Sequence, residues 1–258
     1  MRLAVLASSD SWYLRNLIRA AGDRHEIVRA TYRDLSVDCV GHGETALGIT
    51  SGDVPLTKCD GLLVRTMPPG SLEQIVFRMD ALAYLAERIP VVNPPRAIEA
   101  AVDKFLCTAR LARAGIPTPR TIVAQTPEQA LRGFAELGGR AVIKPLFGSE
   151  GRGIALLEDE ALAARTFDLL AGLGSVIYLQ EFIPHGESDY RVLIVGERTW
   201  TMRRRHASDW RTNLARGATA EPCALPDDVL DLARARRRSW AHRWRASICC
   251  SIRTDDRW

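Results

Sequence analysis

The 258-residue sequence lacks several features that mark particular classes of protein. No apolar run approaches the length of a membrane-spanning helix, because charged residues interrupt the longest ones. The amino-terminal stretch MRLAVLASSD has one arginine and a five-residue apolar run, which is too short for a signal peptide and predicts a buried strand. These absences predict a cytoplasmic protein without a membrane partner.

Cysteine is scarce, and its spacing matches no known framework. The six cysteines form no CxxC pair and no His-Cys spacing typical of zinc sites. Cysteines scattered along a chain of this length indicate reduced thiols rather than disulfides. We therefore expect structural thiols at Cys39, Cys59, Cys107, Cys223, Cys249 and Cys250.

Positive charge is concentrated at one end of the chain. Residues 234–258 hold eight arginines against two aspartates, a local charge of +6, so the total of +4 leaves −2 on the first 233 residues. No basic stripe with interleaved aromatics runs through the body, which disfavours nucleic-acid binding. A basic tail that binds nucleic acid is the weakest of the function classes considered.

Apolar runs alternate with amphipathic segments along the chain, which predicts a parallel sheet of the doubly wound type in an N-terminal α/β lobe (residues 1–92). A small α+β lobe (93–175), the start of a third lobe (176–235) and an aberrant basic tail (236–258) follow. The tail has neither helix nor strand periodicity.

Three local patterns predict individual elements. Ser71 and Thr126 are expected N-caps, the latter with Pro127 at the first helical position. The stretch RAIEAAVDKFLCTARLARAG predicts one helix, and YRVLIVGERTWTMRRR predicts one strand.

The stretch AVIKPLFGSEGRGIALL, residues 141–157, carries a glycine loop between two apolar runs. It lacks the Lys-Ser/Thr ending of a P-loop, and its GxxGxG order is wrong for a dinucleotide fingerprint. Taken alone, it fits an ordinary hairpin connection in which Lys144 is a solvated charge. Alternatively, its backbone N–H groups and Lys144 cover phosphate oxygens, which requires further cations nearby.

Several motifs follow one another in an order that carries more information than any one of them. They are VNPPRAIEAAVDKFLCTARLARAGIPTP, VIKPLFGSEGRGI, YLQEFIP, DYRVLIVG and RRRHASDWRTNLARGA. From about residue 2 to residue 235, the chain resembles the RimK-like α-L-glutamate ligase family of ATP-grasp enzymes. The resemblance implies an α/β ATP-grasp fold with an N-terminal doubly wound parallel-sheet lobe, a small α+β lobe carrying the glycine loop, and an incomplete C-terminal α+β lobe.

The resemblance implies a nucleotide site. The lysines would contact the nucleotide, the loop would close over the β and γ phosphates, and the strand ending at Ile183 would read the adenine edge. Glu181 would take the adenine amino group, and Asp189 would lie near the ribose. The implied residues are Lys104, Lys144, Gly148, Ser149, Gly151, Gly153, Gln180, Glu181, Phe182, Ile183 and Asp189.

The arginine-rich stretch MRRRHASDWRTNLARGA has two interpretations. It fits a solvated charged hairpin, as most arginine clusters do. By resemblance, it instead carries groups that grip an acylphosphate, a carboxylate or the γ-phosphate, for which the guanidinium fork is suited. The implied catalytic residues are Arg203, Arg211 and Asn213 of this stretch, together with Arg191 of DYRVLIVG, which would face the reacting phosphate and carboxylate.

Two residue types near these motifs have less specific interpretations. His185 and His206 are expected to be polar surface residues rather than catalytic bases. Trp200 and Trp210 either line the substrate cleft or pack against the protein.

The implied activity is ATP-dependent ligation of an amino acid, L-glutamate by resemblance, to a carboxylate acceptor through an acylphosphate. The acceptor is a protein C-terminus or a small cofactor, such as a pterin or deazaflavin with a glutamyl tail. The implied cofactors are ATP and Mg²⁺ (or Mn²⁺), and a homo-oligomer is possible. The alternative is an ATP-binding pseudoenzyme or regulatory subunit.

The last residues depart from the family pattern. The family places acidic and asparagine metal ligands where this chain reads RRRSWAHRWRASICCSIRTDDRW, so no metal ligand is predicted and Asp255 and Asp256 are chance neighbours. Two explanations stay open: a frameshift after about Ala235, or a divergent basic tail that binds a partner.

Overall fold

The computed structural model describes residues 1–40, 42–43, 47–64, 67–148, 150–186, 188–240 and 248–252. The chain divides into two units, Met1–Ile98 and Glu99–Trp258. Within the described residues, no helix is both long and apolar enough to cross a membrane.

The first unit contains a parallel four-stranded sheet in the order β2-β1-β6-β7, and a three-stranded antiparallel sheet in the order β3-β4-β5. The parallel pairing confirms the predicted doubly wound lobe. The strands are β1 (Arg2–Leu6), β2 (Glu26–Ala30), β3 (Leu35–Cys39), β4 (Leu47–Ser51), β5 (Val54–Pro55), β6 (Gly61–Val64) and β7 (Val91–Val92), and the helices are α1 (Trp12–Ala21) and α2 (Leu72–Ala86).

Local sequence signals explain where α2 begins. The Ser71 side chain accepts a hydrogen bond from the Gln74 backbone N–H, and the Gln74 side chain accepts one from the Ser71 N–H. This capping box confirms the predicted N-cap. The buried face of α2 packs Ala81, Leu82 and Leu85 into the main apolar core of this unit.

Two helices replace the single helix predicted over residues 96–115, so that prediction is wrong. Helix α3 (Pro95–Val102) ends before Asp103, and α4 (Lys104–Arg113) begins after it. Asp103 has extended backbone, and its Oδ1 accepts a hydrogen bond from the Leu106 N–H at 2.9 Å. An aspartate that caps a new helix interrupts a continuous apolar periodicity.

The middle of the second unit is an antiparallel sheet in the order β10-β9-β11-β8. Two helices cover it, and Phe134 and Phe167 from these helices meet edge to face in the core. Thr126 caps the first of them with Pro127 following, as predicted. The elements are β8 (Thr121–Ala124), α5 (Pro127–Glu136), β9 (Ala141–Lys144), β10 (Ala155–Leu157), α6 (Glu160–Gly172) and β11 (Ile177–Glu181).

A second antiparallel sheet has the order β14-β13-β12-β15. The single strand predicted over residues 190–205 is a hairpin of β12 (Ser188–Val195) and β13 (Arg198–Arg205). Gly196 opens the turn with a φ of +61°, a conformation that glycine adopts without strain. The remaining elements of the sheet are β14 (Thr219–Pro222) and β15 (Ile248–Ile252).

The structure also differs from the expected absence of helix and strand after residue 235. Helix α7 (Asp227–Trp240) continues through the arginine run, and β15 pairs with β12. Helix α7 has acidic residues in its first turn and arginines in its last turn, and both interact favourably with the helix dipole. Arg236 is buried and donates to the Pro117 carbonyl, and Arg237 donates to the Gly196 carbonyl. The rest of the predicted tail, with Asp255 and Asp256, lies outside the described residues.

Four cysteines have described side chains, and all four are free thiols, which agrees with the sequence prediction for them. Burial raises the pKa of the Cys107 thiol to about 11. The four are Cys39, Cys59, Cys107 and Cys223.

Candidate functional site

The glycine loop connects β9 to β10 in the second unit. Gly151 and Gly153 have backbone φ values of +73° and +67°, which residues other than glycine rarely adopt. A Cβ atom at Gly151 would lie 2.9 Å from Cγ of Asn213, and one at Gly153 would lie 2.7 Å from Cγ of Pro145. The loop therefore lies directly against a neighbouring segment. Ser149, a predicted loop residue, lies outside the described residues.

Lys104 approaches the glycine loop from the start of α4. Its Nζ donates to the carbonyl of Gly148 at 3.1 Å and to that of Leu146 at 3.4 Å. Burial lowers the pKa of the Lys104 ammonium, and the neighbouring Asp103 carboxylate partly opposes this. Lys104 therefore lies beside the glycine loop, and its predicted contact with the nucleotide stays a prediction.

Lys144 ends β9 and belongs to a polar network on the sheet. Its Nζ donates to Oε1 of the buried Gln180, whose Nε2 donates to Thr121 Oγ1 at 3.0 Å. Gln180 Nε2 also lies 3.3 Å from the Tyr178 hydroxyl, and burial raises the pKa of that hydroxyl. Because Gln180 is fixed on two sides, it holds the Lys144 ammonium at the strand end.

The residues after Gln180 are held by packing and by hydrogen bonds. The Glu181 backbone N–H donates to the Arg120 carbonyl at 2.8 Å, and Glu181 Oε2 accepts the Arg120 N–H at 3.3 Å. Phe182 lies under the Arg140 guanidinium at 4.3 Å and contacts Trp210 edge to face at 5.9 Å. Ile183 is buried. Trp210 therefore packs against the predicted adenine-side strand.

One face of the β12–β13 hairpin carries a charged cluster. Residues two apart on a strand share a face, and directly paired residues share it too, so Asp189, Arg191 and Arg204 lie on the same side. Arg204 Nε donates to Asp189 Oδ1 at 2.7 Å, its Nη2 donates to Oδ2, and both residues are buried. Arg191 Nη2 lies 3.5 Å from the same carboxylate. Two guanidinium groups thus contact one aspartate carboxylate.

Arg203 lies on the opposite face of the hairpin. It pairs directly with Tyr190 and with Glu221, and its guanidinium binds the Glu221 carboxylate. This hydrogen bond raises the pKa of Arg203 and lowers that of Glu221. The structure therefore places Arg203 apart from Arg191, although the resemblance groups the two residues.

Residues 206–217, which we name the arginine segment, lie against the glycine loop. Arg211 Nη1 donates to the carbonyl of Ile154 at 3.3 Å, at the exit of the loop. Arg211 Nε donates to both Asp209 oxygens, at 3.0 and 2.9 Å, and this interaction lowers the pKa of Asp209 despite partial burial. Arg216 extends from the same segment, and its Cδ would lie 3.3 Å from a Cβ at Gly151. The segment lines an open groove of about 700 Å³.

His185 differs from the prediction of a polar surface residue, whereas His206 is a partly exposed polar residue as predicted. His185 is buried, with 6% of its surface exposed, because it follows the apolar strand end and lies near Phe182. His206 is half-buried, and both of its ring nitrogens take part in hydrogen bonds.

The structure brings together Lys104, the glycine loop, Arg211 and Asn213, and it places Arg191 beside Asp189. Sequence reasoning missed Arg204, Arg216 and Asp209, which fix these groups. The period-2 alternation from Asp189 along the hairpin would have put Arg204 on the same face, once the turn at Gly196 was recognised. No comparable signal marks Arg216 or Asp209.

The described residues contain no group of three or more His, Cys, Asp or Glu side chains that could hold a metal ion. No chemical step proposed below is routed through a protein-held metal.

Comparison with known proteins adds independent information. Residues 101–240 match the family model described as the RimK-like ATP-grasp domain. Tetrahydromethanopterin:alpha-L-glutamate ligase of Methanosarcina acetivorans is 33% identical over 247 residues, which cover 88% of this chain and 75% of that protein. A probable alpha-L-glutamate ligase of Shewanella loihica is 29% identical over 236 residues, covering 88% and 76%.

A solved structure shares the fold. The RimK domain ATP-grasp protein from Sphaerobacter thermophilus superposes with a TM-score of 0.75 at 24% identity, covering 99% of this chain and 88% of that chain. The ATP-grasp fold and the resemblance drawn from the motif order are thereby confirmed. ATP-grasp ligases in general use ATP and Mg²⁺. The family match spans more than half of the sequence, and the chain belongs to the RimK-like ATP-grasp family of ligases, enzymes that form carbon–nitrogen bonds.

Proposed function

We propose that this chain uses ATP, supplied with Mg²⁺ or Mn²⁺, to ligate L-glutamate to the carboxylate of a small cofactor of the pterin type. Glutamate and the pterin come from the relative that is 33% identical over most of the chain, whose name specifies both. A second relative is named only as a glutamate ligase, so a deazaflavin or a protein C-terminus provides the alternative acceptors in the test.

One observation carries the proposal: Lys104 contacts the start of the glycine loop, and the arginine segment contacts its end. Lys104 Nζ reaches the carbonyl of Gly148, and Arg211 reaches that of Ile154. Backbone N–H groups in a glycine loop, with cations at both ends, form a site for phosphate oxygens. Phosphoryl transfer depends on such positioning and charge neutralisation more than on a covalent nucleophile.

The chemistry has two balanced steps. An acceptor carboxylate oxygen attacks the γ-phosphorus, the bond between that phosphorus and the bridging oxygen breaks, and ADP leaves. The glutamate amine then attacks the acyl carbon, the bond to the phosphate oxygen breaks, and inorganic phosphate leaves as the amine loses a proton. We assign Lys104, Lys144 and the loop to the nucleotide, and Arg191, Arg211 and Asn213 to the acylphosphate oxygens.

Of the four predicted catalytic residues, Arg203 has the least support from the structure for a catalytic role. It lies on the other face of β13, where Glu221 already binds its guanidinium. We therefore assign it no direct contact with the acylphosphate in this proposal. Asp189 is likewise assigned to holding Arg191 and Arg204 rather than to the ribose.

The test is ADP release by the full chain with ATP, Mg²⁺ and L-glutamate, in parallel reactions with a glutamyl-tailed pterin, a glutamyl-tailed deazaflavin and a peptide ending in glutamate. We expect glutamate-dependent ADP release with the pterin, and a product heavier by one glutamyl residue. Release with the peptide alone would replace the pterin by a protein acceptor. Nucleotide binding without ADP release from any acceptor would contradict ligation and support a non-catalytic ATP-binding protein.

A further inference from the structure

His206 stands at the beginning of the arginine segment and closes it into a ring. Its Nδ1 accepts hydrogen bonds from the backbone N–H groups of Ser208 at 3.1 Å and Asp209 at 2.8 Å. Its Nε2 lies 3.0 Å from the carbonyl oxygen of Arg216, near the other end of the segment. One side chain therefore joins both ends of a twelve-residue stretch, 206–217.

These contacts determine the tautomer of the imidazole ring. A nitrogen that accepts from two N–H groups carries no proton, so Nδ1 is the bare nitrogen. A carbonyl oxygen only accepts, so the Nε2 facing Arg216 must be the donor. His206 is thus the neutral Nε2–H tautomer, which makes all three hydrogen bonds.

The ring connects to the glycine loop through Asp209. The His206 cap fixes the Asp209 backbone, the Asp209 carboxylate binds Arg211 Nε at 2.9 Å, and Arg211 Nη1 reaches the Ile154 carbonyl. Asp209 Oδ2 also lies 3.8 Å from Arg216 Nε. Each of these residues orients the next one in the series of contacts. His206 itself does not have to touch a ligand in order to act through them.

We propose that His206 is a positioning residue, which holds the arginine segment in the conformation that presents Arg211 and Asn213 to phosphate oxygens. This inference rests on the proposed nucleotide site. It assigns the decisive interaction to Nδ1, because that nitrogen orders Asp209 and thereby Arg211, and it gives the Arg216 carbonyl contact a secondary role.

Two amide side chains separate the roles of the ring nitrogens. In His206→Asn, Oδ1 occupies the place of Nδ1 and still accepts from the two backbone N–H groups. In His206→Gln, the terminal amide reaches toward the Arg216 carbonyl but leaves those N–H groups without their acceptor. His206→Ala removes both interactions, and His25→Asn in the first unit is the matched control for loss of a histidine.

The first measurement is made by NMR on the full chain without nucleotide. We expect the ¹⁵N signals of His206 to report a bare Nδ1, and the Ser208 and Asp209 amide protons to exchange slowly in wild type and His206→Asn. They should exchange faster in His206→Gln and His206→Ala. A protonated Nδ1, or equal exchange in all four proteins, would overturn the proposal even if the chain bound no nucleotide.

The second measurement is the Kd for ATP with Mg²⁺. We expect about a tenfold increase for His206→Ala and His206→Gln, as for a lost hydrogen bond that orders a binding group, and a change within about threefold for His206→Asn and His25→Asn. Wild type that fails to bind ATP would contradict the proposed function itself. Wild type that binds ATP while His206→Ala binds equally well, or affinities that follow only the melting temperatures, would overturn the role of His206.

Discussion

Arg203 and Arg204 are adjacent on β13 and chemically identical, yet the hairpin gives them different surroundings. Arg204 is buried and makes a bidentate contact with the buried Asp189, next to Arg191. Arg203 points to the other face and pairs with Glu221 at the surface. One position in a strand therefore separates an arginine that holds the site from one that contacts a surface partner.

This comparison shows that the residue type alone does not identify a site residue in this chain. What matters is the element's register and what lies against the side chain. The chain offers other pairs of like residues in unlike surroundings, and each pair gives a variant with its own control.

The largest expected effect is a loss of folding stability when Arg204, but not Arg203, is replaced. Arg204→Ala removes the bidentate partner of the buried Asp189 carboxylate and leaves Arg191 at 3.5 Å, and removing one partner of a buried ion pair costs about 3–5 kcal/mol. Urea unfolding followed by tryptophan fluorescence measures this loss. Arg203→Ala, the control, should leave the urea midpoint unchanged because its pair is exposed. Equal midpoints for the two variants would contradict the assignment of the faces.

The next effect concerns two glycines with similar backbone and different neighbours. Gly151 and Gly174 have φ values of +73° and +68°, but a Cβ has nothing within 4 Å at Gly174 and meets Asn213 at Gly151. Gly151→Ala should displace Asn213 and weaken ATP binding about thirtyfold, or about 2 kcal/mol, as for other overpacked sites. Gly174→Ala shares the backbone strain and should keep the wild-type Kd. A similar loss in both variants would mean that strain, not the Asn213 contact, is responsible.

Lys144 and Lys58 form the third pair. Lys144→Ala should weaken ATP binding at least tenfold, about 1.4 kcal/mol or more, because a charge-assisted phosphate contact is lost. Lys58 is exposed in the first unit, and Lys58→Ala should leave the Kd unchanged. Isothermal titration calorimetry gives both values. An unchanged Kd for Lys144→Ala would remove this residue from the nucleotide site.

The smallest expected effect is a pH dependence due to Lys104. Burial lowers its pKa in the folded state below the ordinary 10.5, so the unfolded chain binds more protons between these two values. Stability should therefore rise with pH across that window as the burial cost of the ammonium is relieved. Partial exposure keeps this contribution below about 1 kcal/mol. The rise of the unfolding free energy with pH should be lost in Lys104→Met. An identical rise in the variant would show that other groups cause it.

Much of the fold could be predicted from local sequence, since the caps at Ser71 and Thr126 and the parallel sheet of the first unit are set by short-range patterns. The errors arose where one residue overrides a longer periodicity. Asp103 starts a new helix inside an apolar pattern, and Gly196 turns one apparent strand into two. Strand β15 was missed because pairing with β12 is a tertiary interaction.

The candidate site was only partly accessible to sequence reasoning. Motif order located the glycine loop, Lys104 and the arginine segment, because these are short contiguous stretches. Other features depend on contacts between segments distant in sequence or on loop geometry. They are the burial of His185, the Asp189–Arg204 pair and the ring closed by His206. The assignment of the individual site residues stays a prediction.

The most direct test of the nucleotide site is hydrogen exchange of the full chain with and without ATP and Mg²⁺, read over the peptides that cover residues 145–154 and 206–217. If the glycine loop and the arginine segment close on the phosphates, exchange should slow in both peptides, while β3 and β4 of the first unit exchange unchanged. Protection confined to other regions, with these two peptides unaffected at saturating ATP, would contradict the account.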